Sequence, residues 1–290
     1  MASLLDMRRR IKSVKNTQQI TKAMKMVAAA KLRRAQERVI AARPFALKMS
    51  AVLGGLSAKV AEEFSHPLLD ARGDEKYLVV LVTADKGLAG AFNANVIKAT
   101  QAFVADNSSK TIELMTVGRK GRDFFKRRTV PIIEEYIGLT GMGTAHYTDA
   151  ALIAGKIIET FSSDESIDKV FLVFTEFKTV LSQKPVIEQL LPIPKIGPEE
   201  TEEGSGAEYI YEQPAAEIFG KLLPRQVETQ VYRAMLESVA SEQGSRMTAM
   251  DSASKNAGEL IDSLTLNMNR IRQAAITKEI IEVVSGAAAL

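Results

Sequence analysis

The two ends of the chain constrain its fold more than any other feature. About the first 60 and the last 65 of the 290 residues each read as one long helix with an apolar seam. A helix of a globular protein is typically only about 11–12 residues long. Two such helices in one chain can bury their seams by winding around each other. We therefore predict a long antiparallel coiled coil of the N- and C-terminal helices.

The N-terminal seam follows alternating steps of three and four residues from Leu4 to Val60. Ser3 and Asp6 form a capping-box pattern at its start. Fourteen of its seventeen positions are apolar, which is the 3.5-residue repeat of a left-handed supercoil. Pro44 interrupts this segment, but the seam continues in phase beyond it. We therefore expect a bend or a lost hydrogen bond there and not the end of the helix.

The C-terminal seam runs from Leu236 to Ala275, with ten of its twelve positions apolar. It fails towards the end, where Lys278 and Glu282 fall on seam positions. The remaining apolar residues spread around the helix and need an external apolar partner, either a hydrophobic sleeve or a second copy of the chain in a homodimer. These residues are Ile276, Ile280, Ile281, Val283 and Val284.

The sequence between the two ends predicts a Rossmann-like α/β domain, because apolar strand patterns alternate with helical ones. Residues 77–83 form a continuous apolar run, typical of a strand buried on both faces of a parallel sheet. The predicted domains are a coiled-coil helix at 1–62, the α/β domain at 75–196, an acidic linker at 197–217 and a second coiled-coil helix at 218–290. The other predicted strands are 112–117, 132–137, 170–174 and an edge strand at 185–191, and the predicted helices are 93–105, 119–127 and 148–161.

Composition argues against several kinds of site. The chain has no cysteine, and its two histidines, His66 and His146, are far apart, without the spacing of metal ligands. No nucleophile elbow occurs. We therefore predict no catalytic residue, no metal and no cofactor. No long apolar run or leader-like segment is evident, so we expect neither a membrane-spanning helix nor a targeting segment.

Two glycine-containing turns follow predicted strands and precede helices, where phosphate-binding loops lie. They are residues 84–90 and 117–121. Neither matches the phosphate-binding glycine patterns. We interpret both as structural turns and keep a nucleotide-binding enzyme as a further hypothesis.

The N-terminal helix is strongly basic. Residues 1–60 contain fourteen Lys and Arg residues but only Asp6 and Glu37 as acids, although the net charge of the whole chain is +3. A solvated charged face, a nucleic-acid surface and a surface facing an acidic protein collar all fit this pattern. The absence of aromatic residues from the first 44 disfavours nucleic acid.

Motifs at both ends and in the middle carry a resemblance to a known family. They are Ile276–Ala289 (ITKEIIEVVSGAAA), Ile20–Ala29 (ITKAMKMVAA), Thr83–Gly90 (TADKGLAG), Ser241–Gln243 (SEQ) and Arg246–Met250 (RMTAM). Together they resemble the gamma subunit of rotary F-type ATP synthases, in its bacterial form. Lys25 departs from many bacterial relatives, which have Glu there.

The resemblance implies a non-catalytic central rotor shaft. Its partners would be a 3:3 ring of alpha and beta subunits, the epsilon subunit and the membrane-embedded c-ring. Ion-driven rotation of the c-ring would change the conformation of the catalytic beta subunits, for synthesis or hydrolysis of ATP. The chain would lie at the cytoplasmic face of the bacterial plasma membrane and reach the membrane only through the c-ring. The alternative is a basic coiled coil that binds nucleic acid.

The resemblance also implies two groups of site residues. Contacts to the beta subunits would be made by Lys22, Met24, Lys25, Arg272, Gln273, Thr277 and Glu279. An apolar bearing tip, turning in a hydrophobic sleeve, would consist of Ile276, Ile280, Val283 and Val284.

Overall fold

The computed structural model describes residues 4–59, 65–140, 143–194 and 214–288. It confirms the predicted fold class, a mixed α/β protein with long N- and C-terminal helices. Residues 197–213 of the predicted acidic linker lie outside the described residues. The elements are α1 (Leu4–Lys59), β1 (Lys76–Val82), α2 (Phe92–Asp106), β2 (Thr111–Val117), α3 (Arg119–Phe125), β3 (Ile132–Tyr136), α4 (Tyr147–Ser163), β4 (Lys169–Phe177), β5 (Gln183–Leu191) and α5 (Ala215–Ala288).

The chain divides into two compact units, the first comprising Met1–Ala28 and Arg246–Leu290. Its two helix segments are antiparallel. Gln18 Nε2 donates to the Ser254 carbonyl at 3.3 Å, whereas Lys25, further along α1, pairs with the earlier Asp251 at 2.6 Å. Small seam residues such as Ala28 and Ala257 are buried between the helices. Because small side chains allow close approach of the helix axes, this seam is a narrow one.

The second unit, Ala29–Ser245, contains the sheet. Its strand order is β3-β2-β1-β4-β5, with β1 parallel to β2 and β4, β3 parallel to β2, and β5 antiparallel to β4 at one edge. The central strand β1 is almost entirely buried because helices cover both faces of the sheet. The strand predicted at 185–191 is the edge strand β5, and its pairing with β4 shows that it runs antiparallel, a direction that the sequence pattern left open.

Alternate residues of the strands face different helices. On one face, Val79 and Leu81 of β1 pack in a cluster with Val96 of α2 and Phe125 of α3. On the other face lie Phe174 and its neighbours, and the guanidinium of Arg233 in α5 lies 5.6 Å from the centre of the Phe174 ring. The second unit therefore has three layers, with part of α5 forming one of them.

Both long helices contain a proline in their interior, Pro44 in α1 and Pro224 in α5. The prediction that α1 continues through Pro44 is confirmed. Each proline lacks the N–H that would donate to the preceding turn, so each helix continues there with one main-chain hydrogen bond fewer.

The expectation that no segment is long and apolar enough to span a membrane was wrong. Between Leu4 and Leu56, α1 contains an 18-residue window with mean hydropathy 1.4. A stretch of mostly apolar residues with few charges produces this value. One such helix is weak evidence for a span, because a core helix passes the same test.

Candidate functional site

The end of α5 presents an exposed apolar surface. Every side chain from Ile276 to Ala287 is exposed, including Val283 at 72% and Val284 at 61%. Just before this stretch, Ala275 and Met268 are still partly buried on the seam. Exposed aliphatic side chains at this density mark an interaction surface.

The predicted contact residues and the predicted bearing tip lie on the same side of α5. A period of 3.6 residues per turn places all eight within about half of the helix circumference. The opposite side carries an ion pair between Lys278 and Glu282 at 3.3 Å. The eight residues are Arg272, Gln273, Ile276, Thr277, Glu279, Ile280, Val283 and Val284, and all are exposed.

The predicted contact residues of α1 differ in their surroundings. Lys22 is exposed, and Met24 is partly buried. The ammonium of Lys25 is paired with Asp251, whose second carboxylate oxygen lies 3.2 Å from Lys255. Lys25, followed by Lys255, holds the pKa of Asp251 below its usual range. Because the Lys25 side chain is still 42% exposed, its role as a partner contact stays a prediction.

The loop after β1 is organised by its own aspartate. Asp85 is buried, and its carboxylate accepts hydrogen bonds from the N–H of Arg119 and of Gly138, both at 3.0 Å, and from the Thr140 hydroxyl at 3.1 Å. The carboxylate thus joins the turns that follow β1, β2 and β3. These contacts favour the interpretation of residues 84–90 as a structural turn.

The turn after β2 requires a glycine. Gly118 has φ +101°, and a Cβ at this position would lie 2.2 Å from the carbonyl oxygen of Thr83. The Thr83 hydroxyl also accepts the N–H of Gly121 at 2.9 Å. The main chain of this turn is therefore packed against β1, which again favours a structural role.

Side chains of α5 occupy the position where open parallel sheets usually bind nucleotides. That position is the crevice at the carboxyl ends of the strands where the strand order reverses, here between β1 and β4. The last paired residues of these strands are Leu81 and Val173. Beyond them, Glu237 accepts the N–H of Phe177 at 2.9 Å, and the Ser241 hydroxyl donates to the Thr175 carbonyl at 3.1 Å. This occupation argues against the hypothesis of a nucleotide-binding enzyme.

Potential metal ligands do not cluster within the described ranges. No group of three or more His, Cys, Asp or Glu residues there is arranged to hold a metal ion. The Nδ1 atom of His66 accepts the N–H of Leu68 at 3.2 Å and so stabilises a turn. Burial lowers the pKa of His66, against a smaller opposing effect of Asp70.

Comparison with known proteins identifies the family. The family model described as ATP synthase matches residues 3–290. A curated ATP synthase gamma chain from Solibacter usitatus is 55% identical over 100% of this chain and 99% of its own length. The chain belongs to the ATP synthase gamma chain family. The family gives no support to the alternative of a nucleic-acid-binding coiled coil.

Solved structures agree with this assignment. A chain in the central stalk and c-ring structure of the Tetrahymena thermophila mitochondrial ATP synthase is 27% identical, with a TM-score of 0.60 over 81% of this chain and 99% of that one. A chain in an F1 and c-ring structure of the Euglena gracilis mitochondrial ATP synthase has a TM-score of 0.68 over 99% of this chain and 94% of that one. At 19% identity, the second likeness shows the fold alone.

Sequence reasoning missed the polar residues of α5 that contact β4. Ser238 and Ser241 lie in a stretch that reads as a coiled-coil seam with small residues. A signal was nevertheless present, because Arg233, Glu237, Ser241 and Ser245 are spaced four residues apart and share one side of the helix.

Proposed function

We propose that this chain is the central rotor shaft of a bacterial F-type ATP synthase. It would couple ion-driven rotation of the c-ring to conformational change, and hence to synthesis or hydrolysis of ATP, at the catalytic beta subunits. The chain itself would be non-catalytic. The observation that carries the proposal is the exposed apolar half of α5 from Ile276 onward, in a chain of the gamma family.

The exposed end of α5 supports a rotating contact in particular. Aliphatic side chains make contacts without direction, so they can be covered by a sleeve at every angle of the shaft. On the same side of the helix, the charged Arg272 precedes the apolar tip and Glu279 lies between Ile276 and Ile280. Their hydrogen bonds are directional and would favour particular angles.

The partners follow from this arrangement and from the family. We propose a ring of three alpha and three beta subunits around the helical end, with the epsilon subunit and the c-ring beside the α/β unit. The chain would lie at the cytoplasmic face of the plasma membrane, attached only through the c-ring. Because each angle of an asymmetric shaft favours different beta-subunit conformations, nucleotide binding must in turn favour particular angles.

The first experiment mixes this chain with purified alpha and beta subunits and records complex mass and ATP turnover together. We expect one copy of the chain per six large subunits and a raised turnover. A mixture that leaves the large subunits unassembled and their turnover unchanged would contradict the rotor proposal. Binding of the isolated chain to duplex DNA at physiological salt would instead revive the nucleic-acid alternative.

A further inference from the structure

A polar ridge runs along the part of α5 that packs in the second unit. We define it as Arg233, Glu237, Ser241 and Ser245, which repeat every fourth residue, together with Ser238. All residues from 234 to 245 are buried, so most of the ridge lies in the interior. Burial of hydroxyl and carboxylate groups is unfavourable unless they form hydrogen bonds.

Each residue of the ridge has a partner in the hairpin formed by β4 and β5. Arg233 binds both carboxylate oxygens of Glu188, at 2.7 and 2.9 Å. At the other end, the Ser245 hydroxyl donates to Gln183 Oε1 at 2.9 Å. Glu188 and Gln183 both belong to β5. The outer members of the ridge therefore hold two points on the edge strand.

The central members of the ridge bind main-chain atoms of β4. Glu237 accepts the N–H of Phe177, while Ser238 Oγ accepts the N–H of Thr175 at 3.4 Å. Ser241 donates to the carbonyl of the same Thr175. A second oxygen of Glu237 lies 3.7 Å from Arg43 in α1, so both long helices are linked to this strand.

A polar ridge limits movements that an apolar seam allows. Apolar contacts are not directional, so a helix held by them alone resists turning or sliding only through the fit of its side chains. Hydrogen bonds weaken steeply with angle. Three of these bonds reach main-chain atoms of β4, and those of Glu237 and Ser241 lie about one helical turn apart along α5. The ridge therefore fixes both the rotation and the axial position of α5 on the hairpin.

We propose that the polar ridge transmits torque between the sheet and α5. This inference rests on the proposed rotor function and assigns a mechanical role to residues away from the predicted beta-subunit contacts. Torque that enters through the sheet would reach the helix at Glu237, Ser238 and Ser241. Loss of these bonds would leave α5 in place by apolar packing but more compliant in twist.

The test uses the full chain assembled with alpha and beta subunits. Because the chain has no cysteine, Ser109→Cys in the exposed turn before β2 provides a unique attachment point for a bead on the α/β unit. The test variant combines Ser238→Ala and Ser241→Ala, which remove hydroxyls and nearly preserve volume. The control is Thr229→Ala, which removes a buried hydroxyl that donates only within α5, to the Arg225 carbonyl.

The readouts are the spread of bead angles during the catalytic dwells and the ATP turnover without load. We expect the double variant to widen the angular spread while its turnover stays at the wild-type value, and Thr229→Ala to change neither. An unchanged angular spread in the double variant would overturn the proposal that the polar ridge transmits torque. A wild-type chain that assembles but never rotates the bead would instead overturn the rotor function.

A second pair of variants distinguishes torque transmission by the polar ridge from a general role of its residues in packing. Glu237→Gln retains an oxygen that can accept the Phe177 N–H, whereas Glu237→Ala does not. We expect a wider spread for Glu237→Ala and near-complete rescue for Glu237→Gln, measured on assembled complexes only. Equal effects of the two variants would mean that the hydrogen bond to β4 does not carry the torque.

Discussion

At the scale of single residues, Asp168 shows how one carboxylate can hold the backbone where the chain enters β1. It accepts the main-chain N–H groups of Gly73, Glu75 and Lys76 at 2.6–2.9 Å. Burial opposes its ionisation, but these N–H donors, with that of Lys76 foremost, hold its pKa below the usual range. The carboxylate thereby fixes the backbone at the start of β1.

We expect Asp168→Ala to destabilise the α/β unit by about 1–3 kcal/mol, because it leaves the N–H groups of Gly73, Glu75 and Lys76 without their carboxylate acceptor. Thermal unfolding followed by circular dichroism would measure the loss. Asp106→Ala, on the exposed end of α2, is the matched control and should leave the transition in place. Equal transitions for the two variants would show that the Asp168 contacts contribute nothing.

The same group predicts a pH dependence with a definite sign. Its pKa is lower in the folded chain than the value of about 4 in an unfolded one. Its stabilisation is therefore complete above about pH 4 and is lost as the pH falls through the folded value. The difference in melting temperature between the wild type and Asp168→Asn should accordingly shrink below about pH 4, and a constant difference would contradict this reading.

The two lysines of the predicted α1 contact call for different experiments. Lys22→Glu reverses an exposed charge alone, whereas Lys25→Glu would also place a second carboxylate beside Asp251. We expect Lys22→Glu to leave the melting temperature of the chain unchanged but to lower the ratio of ion transport to ATP hydrolysis in the assembled enzyme. Lys22→Gln should have a smaller effect, and a fully coupled Lys22→Glu enzyme would remove this contact from the mechanism.

At the scale of elements, the sequence predicted each strand but not where β4 ends. Its apolar run stops at Phe174, whereas the strand continues to Phe177. The extension pairs with β5, up to Phe177 opposite Gln183, and Glu237 and Ser241 of α5 bind the main chain of Phe177 and Thr175. Contacts between residues about 60 positions apart leave no local signal in β4.

The seam of α1 predicts which of its leucines hold the second unit together. Leu53 is 1% exposed, whereas Leu47, off the seam, is 71% exposed. We expect Leu53→Ala to cost about 2–5 kcal/mol through the cavity it leaves. Leu47→Ala should have almost no effect on urea unfolding, and similar losses at both positions would mean that the 3.5-residue seam does not define the core.

The end of α5 should matter to the complex and not to the isolated chain. Val283→Ser combined with Val284→Ser alters side chains that are exposed in the chain alone, so its melting temperature should not fall. In the complex, we expect weaker assembly or slower rotation, because polar groups would enter an apolar sleeve. Lys278→Ala with Glu282→Ala, on the opposite side of the helix, provides the control. Wild-type assembly and rotation of the valine variant would refute the proposed bearing.

At the scale of the whole molecule, the layout of long terminal helices around an α/β domain could be predicted from periodicity alone. The residues proposed to contact partners could not, because Arg272 or Thr277 differ from other exposed polar residues only through the family motif. The polar ridge was missed for a related reason. Small polar residues such as Ser241 are compatible with a close-packed seam, so only the position of β4 reveals their role.

The uneven charge of the chain predicts how its assembly depends on salt. The excess of Lys and Arg in the first 60 residues favours approach to acidic partner surfaces. We expect the rate of association with alpha and beta subunits to fall as ionic strength rises, while dissociation changes little. Stopped-flow mixing at several salt concentrations would measure this. Lys22→Glu should weaken the dependence, and a rate independent of salt would contradict electrostatic steering.

The two interior prolines also determine where the molecule can store elastic energy. Pro44 and Pro224 both lie in the unit that contains the sheet, whereas α1 up to Ala28 and α5 from Arg246 have no proline. A missing main-chain hydrogen bond lowers the bending stiffness of a helix at that point. The helix segments of the first unit should therefore bend less easily than those of the second unit.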